Sequence, residues 1–209
     1  MTNSTVFWYA SRATGIVALV LLTVVLAIGI AISRQSRVAG LPRFAVTDLH
    51  RNLSLLAVAF LGVHVLTAIL DSYVSIPALA IVIPFTSGYE GFWLGLGAIA
   101  FDLVLAMIVT SLVRGRLNRT VWRAIHLTVY LCWPVAFLHG LYASGDLRQG
   151  LLSDIALGCA LIVAGAVAWR LVSVARQPPR AGRVAAELAA AQQRPREAWG
   201  KPTPRGARP

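Results

Sequence analysis

Five stretches of about 20 residues, almost free of charge, leave this chain little choice of fold. They run roughly Thr14–Ile32, Leu49–Leu70, Phe92–Val113, Val121–Leu141 and Leu151–Leu171. An apolar helix of about 20 residues spans the hydrocarbon core of a bilayer. Composition agrees: 57% of the 209 residues are hydrophobic and 13% are charged, against about 25% charged in soluble domains. A water-soluble globular enzyme is excluded, and the expected fold class is an all-α membrane protein, a five-transmembrane-helix bundle. The first span does not read as a cleaved signal peptide, because no basic segment precedes it and no small-residue cleavage pattern follows before Arg34. A sixth apolar stretch, Ile76–Phe85, is too short to span and carries Pro77 and Pro84. It reads as an interfacial or re-entrant piece.

Basic residues collect beside cytoplasmic loops. Arg34, Arg37, Arg43 and Arg51 surround the first loop, Arg114, Arg116, Arg119 and Arg123 the third, and nine more follow from Arg170 onward, so 17 of the 19 Lys and Arg residues fall on one side. Only Arg12 and Arg148 lie on the other, with Asp71, Glu90, Asp146 and Asp154. The N-terminus is expected outside and the C-terminus in the cytoplasm, in a multi-pass protein of the plasma membrane. The positive-inside bias also accounts for most of the net charge of +11, so no nucleic-acid partner is expected. Residues 1–176 read as the membrane domain. Residues 177–209, rich in Pro, Ala and Arg, read as a basic flexible cytoplasmic tail able to lie on anionic lipid.

The chain has four histidines, all within spans: His50 and His64 on the second, His126 and His139 on the fourth. With a rise of about 1.5 Å per residue, each pair is separated by about 20 Å along its helix. One span intervenes, so the two helices run parallel, placing His50 with His126 at an inner level and His64 with His139 at an outer level. Each level offers two imidazoles from different helices, as a six-coordinate haem requires, and the arithmetic gives two stacked b haems. A zinc site needs its ligands to converge within about 2.1 Å of one ion, which levels so far apart cannot do. A lone membrane histidine often just bonds a neighbouring helix; four arranged two by two make coincidence a poor account. The helical phase is less tidy. A step of 14 residues returns to within about 40° of the same face, but a step of 13 misses by about 140°. Pro134, between His126 and His139, is expected to kink the helix and help re-aim a ligand.

The segments WYASRATGIVALVLLT, LHRNLSLLAVAFLGVHVLTAILD and WRAIHLTVYLCWPVAFLHG resemble the ferric reductase-like transmembrane domain, a family that includes ferric reductases, NADPH oxidases and the haem subunit of periplasmic methionine sulfoxide reductase. The resemblance covers roughly residues 7–170. It implies that His50, His64, His126 and His139 are axial ligands of two b haems that pass electrons across the membrane. Many relatives have six spans with the histidines on the third and fifth, so the resemblance is expected to start at the counterpart of their second helix. Larger relatives continue into a flavin and nicotinamide domain. The 33 residues after the last span carry no G-x-G-x-x-G and have no room for a βαβ unit. The electron donor is therefore expected to be a separate flavoprotein, bringing FMN or FAD, or a membrane quinol.

Haem propionates need cations. Arg51 and Arg123 are placed for the inner haem and Arg12 for the outer, although all three also serve as topology signals or snorkelling residues. Trp133, between the ligands of span four, and more weakly Phe60, are candidates for the electron path, against plain core packing. Asp102 lies mid-span, where an ionised carboxylate is costly. It reads either as a structurally bonded acid or as part of a proton path. Cys132 and Cys159, with no C-x-x-C, read as packing residues. Gly95, Gly97, Gly158 and Gly165 read as sites of close helix approach or of room for porphyrin, and Trp8 and Tyr9 as an outer aromatic belt. The expected function is a haem-b membrane subunit that moves electrons from a cytoplasmic-side donor to an extracytoplasmic acceptor: a ferric chelate, a redox enzyme or dioxygen. The rivals are a quinol-linked dihaem cytochrome b and, in another class, a non-catalytic membrane anchor or assembly factor.

Overall fold

The computed structural model describes residues 3–33, 42–72, 74, 76–176 and 188. They form six α-helices and no strand: α1 (Asn3–Ser33), α2 (Arg43–Leu70), α3 (Gly91–Leu112), α4 (Arg119–His126), α5 (Val129–Ala143) and α6 (Gly150–Ala175). Short 3-10 turns occupy Ala78–Ile81, Arg114–Arg116 and Asp146–Arg148. Five segments are long and apolar enough to cross a membrane, with α4 and α5 together making the fourth. The protein is a multi-pass membrane protein. The loop arginines Arg34 and Arg37 lie outside the described residues, and so does the tail 177–209 apart from Leu188.

Two helices start well before their apolar stretches. α1 runs from Asn3 and α2 from Arg43, directly after Pro42 in an extended conformation (φ −66°, ψ 149°). Backbone hydrogen bonding continues a helix through polar residues, whereas hydropathy registers only the part that suits lipid. α4 is started by Asn118, whose side chain accepts the Thr120 N–H at 2.8 Å, satisfying a donor that the first turn leaves orphaned.

The fourth span breaks at Leu127–Thr128, directly after His126. Pro134 lies inside α5, six residues further on. The backbone tightens at the break: the N–H groups of Thr128, Tyr130 and Leu131 bond to carbonyls three residues earlier, at 3.0, 3.2 and 2.9 Å. Such bonds wind the chain at about three residues per turn, so His126 and His139 belong to separate helical phases. The mismatch of 13 residues is absorbed here.

α1 packs along α2, α3 along α5, and α1 also touches α5. Of the histidine-bearing helices, α2 makes at most glancing backbone contact with either α4 or α5. α6 joins through side chains, with Cys159 and Val163 buried beside Leu26, Ile30 and Trp133, and Ala156 beside Leu19 and Leu147. Contacts divide the chain after Ala168. The described residues beyond that point are the end of α6, Arg176 and Leu188.

Ile76–Phe85 does not span. It forms the 3-10 turn and then Phe85, held at φ 67°, a left-handed conformation that is costly for an aromatic residue. The Phe85 ring fills the notch left by Gly95 on α3, where any side chain would collide with it, and stacks on Phe92 at 6.0 Å.

Candidate functional site

The site begins on α1, a helix without a ligand-type residue of its own at either level. Gly15 and Gly29 stand 14 residues apart on it, as His50 and His64 do on the antiparallel α2. The two helices lie in the register that matches them. A Cβ on Gly15 would come within 2.9 Å of His64 Nδ1, and one on Gly29 within 3.3 Å of the His50 ring. On α3, a Cβ on Gly97 would reach 2.7 Å from His139 Nδ1. Each glycine is the hole into which one imidazole fits. Gly158 and Gly165 have nothing within 4 Å.

The same turns supply the hydrogen-bond partners. His64 Nδ1 donates to the Ser11 carbonyl and His139 Nδ1 to the Trp93 carbonyl, both at 2.8 Å. Each carbonyl lies four residues before the glycine that admits the ring. His50 follows the pattern incompletely. It interacts with the Val25 carbonyl, four residues before Gly29, but its buried Nδ1 closes no formed hydrogen bond. His126 is held differently, with its ring stacked on Trp122 (4.8 Å, 19°) and Arg114 lying over that indole at 4.4 Å. Nδ1 of His126 and Nε1 of Trp122 are buried without a partner among the described residues.

The histidines come together in pairs. The His64 and His139 rings are 6.2 Å apart between centroids, inclined at 70°, and His50 and His126 are near enough to act on each other electrostatically. An Nδ1–H given to a carbonyl fixes the tautomer that leaves Nε2 as the lone-pair nitrogen, the usual arrangement of a metal-binding imidazole. Metal–imidazole bonds are about 2.0–2.1 Å long and a ring centroid lies about 1 Å behind its nitrogen, so a metal bound linearly between two imidazoles sets their centroids about 6 Å apart. The His64–His139 spacing meets that condition. No group of three or more His, Cys, Asp or Glu able to hold an ion occurs among the described residues. A metal at either pair therefore needs further donors from a group it arrives in, and a haem, whose iron carries the porphyrin nitrogens, fits this donor set.

Between the pairs lies Trp133, 6% exposed, its Nε1 donating to Thr23 Oγ1 at 2.8 Å. Thr23 is itself buried and donates to the Leu19 carbonyl. Trp133 also stacks on Phe137 (5.0 Å, 17°). Phe60 is half-buried on α2, and Asp102 is half-buried on the face of α3 that carries Gly95 and Ala98. Cys132 and Cys159 are buried free thiols, and Cys132 Sγ points to the Ala100 carbonyl at 3.6 Å.

The arginines are placed unevenly. Arg51 is exposed and lies 3.9 Å from Asp48, and Arg123 is exposed. Arg12 gives one nitrogen, Nη1, to both Asp146 oxygens at 2.7 and 2.8 Å and lies 3.7 Å over the Trp8 ring, which joins α1 to the turn after α5. Its remaining N–H groups are outside that pair. Sequence reasoning missed Arg114, Trp122, Gly15, Gly29 and Thr23. The glycine spacing, equal to that of the histidines on the next helix, was the signal for two of them.

Residues 14–142 match the family described as ferric reductase like transmembrane component. No curated protein and no solved structure gives a match. The matched region covers more than half of the chain and contains all four histidines and the three glycines that admit them. With five membrane-spanning helices of a kind that suggests a redox, electron-transferring role, this chain belongs to the ferric reductase-like transmembrane family.

Proposed function

We propose that the protein is a haem-b membrane subunit that carries electrons from a donor on the cytoplasmic side to an acceptor outside. The observation that carries this reading is the His64–His139 pair, with centroids 6.2 Å apart and each Nδ1 bound to a backbone carbonyl. His50 and His126 form the second pair, one α-helical span of about 20 Å away. Bound haem would supply the one-electron iron couple, its potential set by axial ligands, burial and hydrogen bonding. The chain supplies placement. Gly15, Gly29 and Gly97 admit the rings, the Ser11 and Trp93 carbonyls orient two of them, and Thr23 fixes the Trp133 indole between the levels. Trp133 and Phe60 are the aromatic groups proposed for the path between the pairs, and Asp102 a proton-holding group beside it.

The arginine distribution supports an N-out, C-in orientation in the plasma membrane, with His50 and His126 at the cytoplasmic level. Arg51, Arg123 and Arg114 are the cations available to haem carboxylates there, and Arg12 outside. A separate flavoprotein or a quinol donates, and a soluble redox partner or ferric chelate accepts. The experiment is a dithionite-reduced minus oxidised spectrum of the purified full chain, with haem counted per chain in wild type, His64→Ala and His126→Ala. Two b haems in wild type, with a different one lost in each variant, are expected. Haem-free protein, despite ample haem supply, would leave the anchor reading in its place. Cysteines introduced at Ser87 and at Arg116 should react with an impermeant maleimide from opposite sides, and labelling from the same side refutes the orientation.

A further inference from the structure

The connection between α2 and α3 has the wrong composition for a loop in water. Residues 72–89, between Asp71 and Glu90, carry no charge, whereas loops that face water are normally polar. The 3-10 turn Ala78–Ile81 packs against α3 and buries Ala80. Leu79 and Val82, three residues apart and so in one row on such a turn, are 63% and 55% exposed, and Ile83 beside them 44%. The backbone here meets its own needs. The N–H groups of Ala80, Val82 and Ile83 bond to the carbonyls of Pro77 and Leu79 at 2.8, 3.2 and 2.9 Å, and Pro77 and Pro84 have no N–H to leave unpaired. Backbone so satisfied tolerates a place where water is scarce. The apolar surface also runs on past the turn. Phe85 and Phe92 stack at 6.0 Å, both more than half exposed, which carries it onto the start of α3, and Leu66 and Leu70 are exposed near the end of α2. Beyond Phe85 the segment turns polar, with Thr86, Gly88 and Glu90 exposed. Tyr89, 46% exposed there, is a residue type at home among lipid headgroups.

We propose that this segment is a lipid-seated strap: Leu79, Val82, Ile83 and Phe85 enter the bilayer interface of the leaflet where α2 ends and α3 begins, and Phe85 keys the strap to α3. Continuity identifies lipid as the occupant. The spans on either side face lipid, and an uncharged apolar patch contiguous with them is covered by the same phase. A soluble partner would first have to strip lipid from the adjoining helix ends. Phe85 joins the two contacts, since its ring fills the Gly95 notch while more than half of the residue stays exposed. Its φ of 67°, like the 41° of Glu90, is a conformation that an ordinary side chain keeps only when its surroundings impose it, and a ring wedged between Gly95 and lipid is so constrained. Gly95 lies between Trp93, whose carbonyl accepts the His139 Nδ1–H, and Gly97, which admits the His139 ring. The grip of lipid on the strap thus steadies the end of α3 that holds this histidine.

The test attaches a nitroxide to Leu79→Cys, Ile83→Cys or Gly88→Cys, one at a time, in the full chain in phosphatidylcholine nanodiscs. A Cβ added at Gly88 meets nothing within 4 Å, which makes this position the water-facing reference, and the unsubstituted chain corrects for label on the buried Cys132 and Cys159. Collisions with oxygen, which concentrates in hydrocarbon, are compared with collisions with a neutral nickel chelate, which stays in water. The ratio of oxygen to nickel collisions is expected to be several-fold higher at Leu79→Cys and Ile83→Cys than at Gly88→Cys. A ratio equal to that at Gly88→Cys puts the segment in water and overturns the proposal. Few collisions with either reagent put the patch under protein, a second copy of this chain, and overturn it too. Phe85→Ala in the Ile83→Cys background tests the key: the label should become more mobile and its spectrum narrower, and an unchanged spectrum refutes the role of Phe85. If Phe85→Ala fails to accumulate, Gly95→Ala, which expels the ring from its notch, should have the same effect.

Discussion

Gly15→Ala isolates the idea that a helix without ligands positions a metal site. The added Cβ would lie 2.9 Å from His64 Nδ1 and 3.0 Å from Cε1, whereas ordinary contact begins near 3.4 Å. The ring must therefore retreat by about half an ångström, and a retreat along the bond would stretch the 2.8 Å contact with the Ser11 carbonyl to the limit of a hydrogen bond. Losing that bond costs about 1 kcal/mol, with a further ~1 kcal/mol or more for overpacking. Since 1.4 kcal/mol is a factor of ten, retention at the His64/His139 level should weaken by roughly ten- to thirty-fold. The opposing term is small: alanine is favoured over glycine within a helix by at most about 1 kcal/mol, a gain in fold stability with no bearing on one level over the other. The assay is haem per chain after dilution into apomyoglobin, which competes for released haem, with the two levels distinguished in the His126→Ala and His64→Ala backgrounds. Selective loss at the His64/His139 level is expected. Gly15→Ala protein that keeps both haems as firmly as wild type, or sheds both at one rate, would refute the reasoning.

Three further outcomes follow from the same geometry. Gly97→Ala, with its Cβ 2.7 Å from His139 Nδ1, should empty the same level more completely than Gly15→Ala, whereas Gly29→Ala, at 3.3 Å from the His50 ring, should weaken only the other level, and more mildly; haem counts on the three variants rank them. Thr23→Val removes the acceptor of the Trp133 indole at a buried site, and a stranded donor costs about 1–3 kcal/mol; the thermal midpoint in detergent should fall while haem stoichiometry stays at its wild-type value. Asp146→Asn breaks the pair with Arg12, whose side chains are 25% and 29% exposed, so a cost of about 1 kcal/mol or less is expected, shrinking in added salt when melting is followed over a salt series.

The spans were legible because lipid imposes a requirement that can be counted, about 20 apolar residues per crossing. What lipid does not test was harder to read: the polar starts of α1 and α2, carried by backbone bonding alone, and the break at Leu127–Thr128, which no glycine or proline announces. Pro134 looked like the kink, and a break that the sequence did not announce lies six residues before it. Pairing the histidines by level needed only the helical rise and the direction of the spans, and the His64 and His139 rings lie 6.2 Å apart. How they are held was only partly legible: Gly97 read as a site of close helix approach, but Gly15 and Gly29 look like any small residues in a membrane helix until a neighbour is set against them. Arg114 was counted among the positive-inside residues, and only the stack with Trp122 and His126 separates it from the rest.

The register of α1 against α2 connects these observations. Two antiparallel helices that carry their key residues at the same spacing of 14 can satisfy both levels at once, because each glycine then meets its own histidine. The spacing falls short of four full turns by only about 40°, so both glycines stay on one side of α1 and both histidines on one side of α2. The half of the α3/α5 pair that carries His139 repeats the device through Gly97 and the Trp93 carbonyl. Its other half does not: the chain breaks after His126, the ring stacks on an indole, and Nδ1 finds no described partner. The level thus held less tightly by hydrogen bonds is the one whose ligand helix departs from regular α geometry. The asymmetry between the two pairs is therefore built into the backbone. Substituting the loops would not remove it; restoring an unbroken helix through Leu127 and Thr128 would swing His126 away from His50, exchanging the asymmetry for the loss of the pair.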